Sequence, residues 1–190
     1  MTIGIIQPDS GNLRSVCDAL ERLNRPYRLL REPRLDGIQQ ILIPGQGRFG
    51  AVMAYLRRAG WDVVLKEWVA QKKPLFGICV GMQVLFESSE EDPGHPGLGL
   101  LKGQVKRLRA PKLPMIGWAP LRWRSPGFPQ GAAYFVNSYA VTDSPDSLAV
   151  VHHGQDFCAA IRSGSMTAFQ CHPEKSGSFG KAILDLCLIS

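Results

Sequence analysis

The feature that most constrains the fold of this chain is the alternation of strand-like and helix-like segments over about its first ninety residues. Four apolar runs have the length of β-strands and lie at residues 3–7, 27–31, 39–44 and 74–78. Apolar residues at helical spacing mark residues 12–24 and residues 48–71, the latter interrupted near Gly60. A further helix is predicted at residues 80–89, directly after the fourth strand. Strands that alternate with helices favour a parallel sheet joined by right-handed crossovers.

The second half of the chain has a different pattern. Between residues 103 and 171, short β-like runs are separated by proline and glycine, and a last helix is predicted at residues 180–189. The fold class expected is therefore α/β, a doubly wound and mostly parallel sheet with an antiparallel extension in the second half. A length of 190 residues with 45% hydrophobic residues suffices for one core, so residues 1–190 are expected to form a single domain.

The net charge of +6 invites a nucleic-acid-binding interpretation, but the basic residues are scattered and accompany no known reading motif. A solvated basic face, or a surface for an acidic protein partner, accounts for the charge. The five cysteines are odd in number and lack CxxC spacing, which argues against a disulfide framework and for a reducing compartment. With no signal peptide and no apolar run of roughly 18 residues, a cytoplasmic location without membrane contact is expected.

Cys79 stands between two glycines at the point where the fourth strand ends and a helix is predicted to begin. Reactive groups of doubly wound sheets gather at the carboxyl ends of the strands. Gly77 and Gly81 are what a tight strand-to-helix elbow requires, since side chains there would collide as the backbone turns back. A helix N-terminus favours a thiolate and offers free N–H groups to an oxyanion. Cys79 is therefore interpreted as a nucleophile, with a packed apolar side chain as the alternative.

A thiol nucleophile needs a base, and His172 lies at the end of the last β-like run. If the backbone stays extended through Pro173, His172 and Glu174 share a face, and a Cys-His-acid constellation results. Surface or strand-end roles are the interpretation for the remaining histidines, His95, His152 and His153. A zinc site from Cys171, His172 and the 152/153 pair fits no common ligand spacing, so no metal is expected.

The segment after the third strand, LIPGQGRF at residues 42–49, places Gly45 and Gly47 on either side of Gln46. Glycines at these positions let successive backbone N–H groups converge on an anion, as a tetrahedral oxyanion would need. A plain turn is the alternative. The oxyanion interpretation of this segment depends on the nucleophile and the base that accompany it in the sequence.

Together these segments resemble the class I (triad) glutamine amidotransferases. Within that family the resemblance is closest to the glutaminase subunits of imidazole glycerol phosphate synthase, which acts in histidine biosynthesis, and it runs along nearly the whole chain. The matching motifs are DSGNLRSV (9–16), IPGQGRF (43–49), GICVGMQVLFESSEE (77–91), GLGLLKGQVKRL (97–108), PMIGW (114–118), YFVNSYA (134–140) and QCHPEKSG (170–177). GICVGMQ and HPEKSG are the most specific pair, because the elbow and the acid two residues after the histidine recur in that family.

The resemblance implies hydrolysis of glutamine to glutamate and ammonia without a cofactor. It implies Cys79 as the nucleophile, His172 as base and then acid, and Glu174 as the residue that orients His172. The residues implied to form an oxyanion hole are Gly45, Gln46, Gly47 and Val80. The residues implied to hold glutamine are Gln83, Glu91, Ser138 and Tyr139. The implied partner is a (β/α)8-barrel synthase (cyclase) subunit that forms a heterodimer with the chain and accepts the ammonia, and it would face Asn12, Trp118, Tyr134 and Lys175.

The chain departs from the pattern of this family at several positions that leave the triad intact. Asn137 stands where the family has histidine, Ala119 where it has asparagine, Gln46 where it has valine and Cys171 where it has an aromatic residue. Several of these positions are implied to face the partner or to gate the oxyanion hole, so they bear on partner identity and activation. The alternatives are a paralogous glutaminase subunit for a sugar amidotransferase of surface-polysaccharide synthesis, a cysteine peptidase, and a non-catalytic interaction module on the same fold.

Overall fold

A mostly parallel sheet of eight strands lies at the centre of the computed structural model, which describes residues 1–9 and 11–189. From one edge to the other its strands are β2 (Tyr27–Leu30), β1 (Thr2–Ile6), β3 (Ile38–Ile43), β4 (Leu75–Ile78), β13 (Met166–Phe169), β12 (Gln155–Ser163), β11 (Ser147–His153) and β8 (Arg122–Trp123). The first five strands pair in parallel, and the last three continue the sheet with antiparallel pairing. This order confirms the predicted α/β fold, in which the second half supplies the antiparallel extension.

Helices cover both faces of the sheet. Those of nine to eleven residues are α1 (Arg14–Arg22), α2 (Phe49–Arg58), α3 (Trp61–Ala70) and α5 (Gly177–Cys187). α1 and α5 pack over a core that includes Leu42, whereas α2 and α3 pack over a second core that includes Ile41 and Ile43. Successive residues of a strand point to opposite faces, so the apolar run of β3 supplies both cores, as in a doubly wound fold. Gly60 separates α2 from α3 with a φ of 74°, at the predicted break.

The helix predicted at residues 80–89 is wrong in length, because the observed helix is much shorter. α4 (Val80–Gln83) has only four residues, and the chain then turns into a short strand, β5 (Ser88–Ser89). The carbonyl groups of residues 84–87 accept hydrogen bonds from N–H groups of residues 97–101 instead of from a following helical turn. A Cβ added at Gly97 would collide with the Phe86 carbonyl oxygen, so the two segments touch through their backbones. Contacts distant in sequence therefore end a helix that local periodicity would continue.

Two smaller sheets stand beside the central one. Their strands are β5, β6 (Gln104–Arg107) and β10 (Tyr139–Ala140) in one sheet, and β7 (Met115–Pro120) and β9 (Ala132–Asn137) in an antiparallel ribbon. The N–H of His172, which follows β13, donates a hydrogen bond of 2.8 Å to the Tyr134 carbonyl oxygen of β9. The ribbon therefore lies next to the carboxyl ends of the central strands. Within residues 1–9 and 11–189, no helix combines the length and the apolar character needed to cross a bilayer.

Candidate active site

The carboxyl ends of three neighbouring parallel strands meet at one edge of the sheet. β3, β4 and β13 end here, and the segments that follow them carry Gly45, Cys79 and His172. The Cys79 N–H donates a hydrogen bond of 2.7 Å to the carbonyl oxygen of Phe169 at the end of β13. A Cβ added at Gly45 would lie 2.9 Å from both the Cys79 Cβ and the His172 Cε1. The sheet topology thus brings three segments that are far apart in sequence into direct contact.

Cys79 occupies a strained elbow between β4 and α4. Its φ of 50° and ψ of −111° lie outside the regions that residues with a Cβ normally adopt. A Cβ added at Gly77 would lie 2.6 Å from the Gly81 carbonyl oxygen, and one added at Gly81 would collide with the Ile43 carbonyl oxygen. Both glycines are required by close backbone approach, as the sequence predicts. Because α4 has only four residues, its dipole is smaller than that of the predicted helix.

His172 and Glu174 form a buried pair, although the local backbone differs from the prediction. The His172 Nδ1 and the Glu174 Oε1 are 2.8 Å apart, and the exposed fractions of the two side chains are 6% and 1%. The backbone is not extended through Pro173, because Pro173–Lys175 forms a 3-10 turn. The Ser176 hydroxyl donates a hydrogen bond of 2.6 Å to the His172 carbonyl oxygen and holds this turn closed. A turn, rather than a shared strand face, therefore brings the carboxylate to the imidazole.

Two opposing effects act on the pKa of His172. Burial disfavours the imidazolium and lowers the pKa, whereas hydrogen bonding and charge from Cys79 and Glu174 favour the imidazolium. The second group of effects prevails and raises the pKa of His172 to about 10. At neutral pH the ring is therefore protonated, which is the form that can give a proton to a leaving group.

Replacing Glu174 with glutamine is expected to move the alkaline limb of the pH profile to lower pH. Glu174 raises the pKa of His172, so removing its charge lowers that pKa, and the imidazolium is lost at a lower pH. Misorientation of the ring should lower kcat on the order of a hundredfold, with little change in KM. Steady-state glutamate release across pH 6–11 measures the position of the alkaline limb together with kcat and KM. Glu67→Gln on the exposed side of α3 is the control, and a raised KM with unchanged kcat would contradict the assignment.

Three other cysteines, the buried Cys158 and Cys171 and the partly buried Cys187, differ from Cys79 in their surroundings. Burial raises the pKa of Cys158, raises that of Cys171 well above its usual range, and raises that of Cys187 to about 11. These three thiols therefore stay protonated near neutral pH and are poor nucleophiles. Cys79, by contrast, opens onto a cavity at the carboxyl ends of the strands.

That cavity has a volume of about 200 Å³. The residues that line it come from segments distant in sequence and are Gly47, Cys79, Val80, Gln83, Glu91, Pro114, Val136, Asn137, Ser138 and Tyr139. The lining includes all four residues that the resemblance implies for glutamine binding. Amide, carboxylate and hydroxyl groups outnumber apolar side chains here, and the small volume suits a small polar ligand.

The glycines implied to form an oxyanion hole lie at two different places around the thiol. Gly47 lines the cavity together with Cys79 and has a φ of 96°. Gly45 instead packs against Cys79 and His172 and leaves no room for a side chain. Val80 also lines the cavity, and as the first residue of α4 its N–H has no acceptor within the helix. The Val80 and Gly47 backbones, which line the cavity together with Cys79, are therefore the candidates for oxyanion donors.

Gln46 is among the residues that line a second cavity, which also has a volume of about 200 Å³. Tyr55 and Arg58 line this second cavity, and the Gln46 Cβ packs closely against Gly11. Because the Gln46 side chain packs against Gly11, the part of Gln46 that is a candidate for an oxyanion hole is its backbone N–H.

Glu91 and Asp92 have a structural role that the sequence did not reveal. The Glu91 Oε2 accepts the Phe49 N–H at 3.0 Å, and the Asp92 Oδ2 accepts the Gly50 N–H at 2.9 Å. The two carboxylates thereby cap the N-terminus of α2 and complement its dipole. Arg48 adds a hydrogen bond of 2.9 Å to the Asp92 Oδ1. The partners are about forty residues apart, so no local capping pattern indicated them.

Gln170 is a site residue to which the sequence analysis assigned no role. Its side chain is fully buried, and its Nε2 donates a hydrogen bond of 3.6 Å to the Cys79 Sγ. The available signal was an amide side chain at the end of the apolar run MTAFQC, where an aliphatic residue would be ordinary.

The residues implied to face a partner all lie at or near the surface. Trp118 of β7 is 57% exposed and packs edge-to-face on Tyr134 of β9, with ring centroids 6.0 Å apart. The Tyr134 N–H donates to the Ser176 hydroxyl at 2.9 Å, which brings Tyr134 close to the turn that carries the exposed Lys175. Asn12 is exposed before the start of α1. Trp118, Tyr134 and Lys175 thus share one region, and Asn12 lies apart in sequence.

Comparisons with known proteins agree with this geometry. A family profile described as glutamine amidotransferase class-I matches residues 11–190. The imidazole glycerol phosphate synthase subunit HisH of Halalkalibacterium halodurans is 40% identical over 198 residues, covering 96% of this chain and 92% of that protein. The subunit HisH of Thermotoga maritima is 36% identical over 192 residues, covering 97% of this chain and 95% of that protein. A crystal structure described as a glutamine amidotransferase shares the fold with a TM-score of 0.79 at 22% identity, over 97% of this chain and 96% of the other.

Proposed function

The chain belongs to the class-I glutamine amidotransferases, and within them to the imidazole glycerol phosphate synthase subunits HisH, and we propose that it hydrolyses glutamine for histidine biosynthesis. The ammonia passes to a synthase subunit that makes imidazole glycerol phosphate and the aminoimidazole carboxamide ribonucleotide. We propose that residues 1–190 form one glutaminase domain, which the family match over residues 11–190 supports. The biosynthetic role of the relatives supports a cytoplasmic location.

The observation that carries this proposal is the meeting of a thiol, an imidazole and a carboxylate beside a small polar cavity. The Cys79 sulfur attacks the side-chain carbonyl carbon of glutamine, and the carbonyl electron pair moves to the oxygen. When this intermediate collapses, the C–N bond breaks and His172 gives its proton to the departing ammonia. Water then attacks the thioester while His172 takes its proton, and the C–S bond breaks to release glutamate.

The negative charge that forms during these steps needs nearby hydrogen-bond donors, and the proton transfers need a base in a fixed position. Negative charge develops on the glutamine carbonyl oxygen, and the backbone N–H groups of Val80 and Gly47 are the proposed donors for it. Glu174 holds His172 through Nδ1, so that Nε2 is left to serve the substrate. Gln83, Glu91, Ser138 and Tyr139 are proposed to hold glutamine in the cavity that they line.

An exposed apolar face on the β7–β9 ribbon supports a protein partner. Ile116 and Trp118 are 64% and 57% exposed, and across the ribbon they pair with Val136 and Tyr134. These four side chains form the face, and Val136 also lines the cavity beside Cys79. Exposed apolar patches of this kind mark interaction sites. We propose that a (β/α)8-barrel synthase subunit covers this face in a heterodimer, with Asn12 and Lys175 at the same interface.

The chemistry of the product gives a reason for such a partner. Ammonia released into neutral water becomes protonated and is then no longer nucleophilic. An enclosed route from the thioester site to the acceptor conserves the reactive form. A partner seated on the face next to the cavity would provide such a route and exclude water.

The purified chain alone is expected to be a poor glutaminase that its barrel partner activates. A glycine-rich oxyanion segment can rest with an N–H turned away, so a partner that shifts its population raises kcat more than it lowers KM. We expect stimulation of roughly tenfold or more, equivalent to about 1.4 kcal/mol in the barrier. Glutamate release is measured for the chain alone, with the barrel subunit of the histidine pathway, and with that subunit and its ribonucleotide ligand.

Ile116→Asp tests whether the apolar face is the docking surface. A charge on this face should raise the Kd for the barrel subunit by roughly tenfold or more, whereas Val63→Asp on α3, also at an exposed apolar position, should leave it unchanged. Equal Kd values for both variants would argue against this surface. A chain that hydrolyses glutamine but neither binds nor responds to this barrel subunit would favour the polysaccharide paralogue. Absence of hydrolysis under every condition would favour the non-catalytic module.

A further inference from the structure

We propose that Gln170 is a positioning residue for the Cys79 thiol, an inference that rests on the proposed glutaminase function. Gln170 follows β13 and is fully buried. Its Nε2 lies 3.6 Å from the Cys79 Sγ, a normal distance for a hydrogen bond to sulfur. Its Oε1 accepts a hydrogen bond of 3.0 Å from the Gln83 Nε2. The amide therefore joins the nucleophile to a residue of the proposed glutamine pocket.

A backbone carbonyl group fixes which atoms of the Gln83 and Gln170 amides donate hydrogen bonds and which accept them. The Gln83 side chain donates from Nε2 to the Tyr139 carbonyl oxygen at 2.9 Å, and a carbonyl oxygen can only accept. The same Gln83 nitrogen contacts the Gln170 side chain, so the Gln170 atom facing it must be the oxygen. The Gln170 nitrogen is consequently the atom directed at sulfur. The amide orientation follows from the Tyr139 backbone, without any assumption about the state of the thiol.

A donor aimed at the Cys79 sulfur has two effects. The hydrogen bond is strongest when the sulfur carries a full negative charge, so it stabilises the thiolate that attacks glutamine. It also restricts rotation of the thiol about Cα–Cβ, because the amide is held by Gln83 on its other side. His172 and Gln170 are thus two separate hydrogen-bonding groups beside the sulfur, and only His172 can transfer a proton.

Gln170→Met is the first test, because methionine has a similar length and supplies no donor. At pH 7 we expect alkylation of Cys79 by iodoacetamide to slow by roughly tenfold. The rate at Cys79 is followed by mass spectrometry of its peptide, so other cysteines do not contribute. The other titratable groups around the sulfur are His172, Glu174, Cys171, Glu91 and Tyr139, and the substitution leaves them in place. In the complex, kcat should fall by roughly tenfold with little change in KM.

Gln40→Met is a matched control for the loss of a buried amide. Gln40 in β3 is 2% exposed, donates to the Cys187 carbonyl oxygen at 3.3 Å and accepts the Ile189 N–H at 3.0 Å, away from the thiol. The Gln40→Met variant should unfold at a lower temperature without a change in the rate of Cys79 alkylation.

Gln170→Glu is the second variant, since it keeps the shape of the side chain and replaces the donor by a group that repels a thiolate when ionised.

The proposal would be overturned if the rate of Cys79 alkylation at pH 7 were unchanged in either folded Gln170 variant. It would also be overturned if Gln40→Met changed that rate equally. The alkylation measurement uses no glutamine. Failure of the positioning role is therefore distinguishable from failure of the glutaminase function, which glutamate release by the unsubstituted complex tests separately.

Discussion

Replacing Cys79 with alanine is expected to abolish glutamine hydrolysis while the chain stays folded. Without the sulfur no thioester forms, and turnover in the complex should fall by at least roughly 10⁴-fold. A glutamine analogue with an alkylating group should label Cys79 and spare Cys158, Cys171 and Cys187, because burial raises the pKa of those three thiols. Glutamate release and mass spectrometry of the labelled peptides are the measurements.

Cys79→Gly separates loss of the nucleophile from loss of the fold. Glycine tolerates the φ of 50° at this elbow without strain, so this variant should unfold at a temperature no lower than Cys79→Ala. Both variants should be equally inactive. Residual hydrolysis above roughly one part in a hundred in either variant would point to a different nucleophile.

The layers of the fold could be predicted because they depend on local patterns. Apolar runs of strand length alternate with amphipathic helices, and parallel strands leave few other ways to bury both faces. The break at Gly60 was equally local, since glycine adopts its φ of 74° without cost. The helix at residues 80–89 was wrong because its end is decided by backbone hydrogen bonds to residues 97–101. No periodicity within the segment carries that information.

The contact between His172 and Glu174 was predicted, but the backbone conformation that makes it was not. Cys79 was indicated by glycines that close backbone contacts do require, at Gly77 and Gly81. Glu174 was chosen for a shared strand face, yet it reaches His172 through a 3-10 turn. The structure brings the two side chains together although its backbone differs from the extended one that was predicted, and the catalytic role of Glu174 stays a prediction.

Part of the basic charge is paired with carboxylates at the surface. Ion pairs with Asp or Glu involve the arginines Arg14, Arg25, Arg34, Arg48, Arg58 and Arg122. These pairs are spread over the surface, and most are exposed enough that each contributes little to stability. The pairs leave the net charge of +6 unchanged, so a solvated basic face and a surface for an acidic protein partner both stay predictions.

Replacing Gly45 with alanine is expected to lower kcat on the order of a hundredfold. The added Cβ would lie 2.9 Å from the Cys79 Cβ, 2.9 Å from the His172 Cε1 and 3.0 Å from the Ile78 Cγ2, so at least one of these groups must move. Nucleophile and base would then separate, and a displacement of about 1 Å at reacting groups costs on this order. KM should change less, because the residues proposed to hold glutamine are not displaced. Glutamate release by the complex at varied glutamine concentrations separates the two parameters.

Gly94→Ala is the matched control, because a Cβ at Gly94 meets no atom within 4 Å. Neither glycine has a positive φ, so alanine at either position is free of backbone strain and only the contact at Gly45 differs. Cys79 in Gly45→Ala should still react with iodoacetamide, since the thiol remains while its alignment with the base is lost. If Gly45→Ala instead keeps the kcat of Gly94→Ala, then close packing of this glycine against Cys79 and His172 is not what aligns the reacting groups.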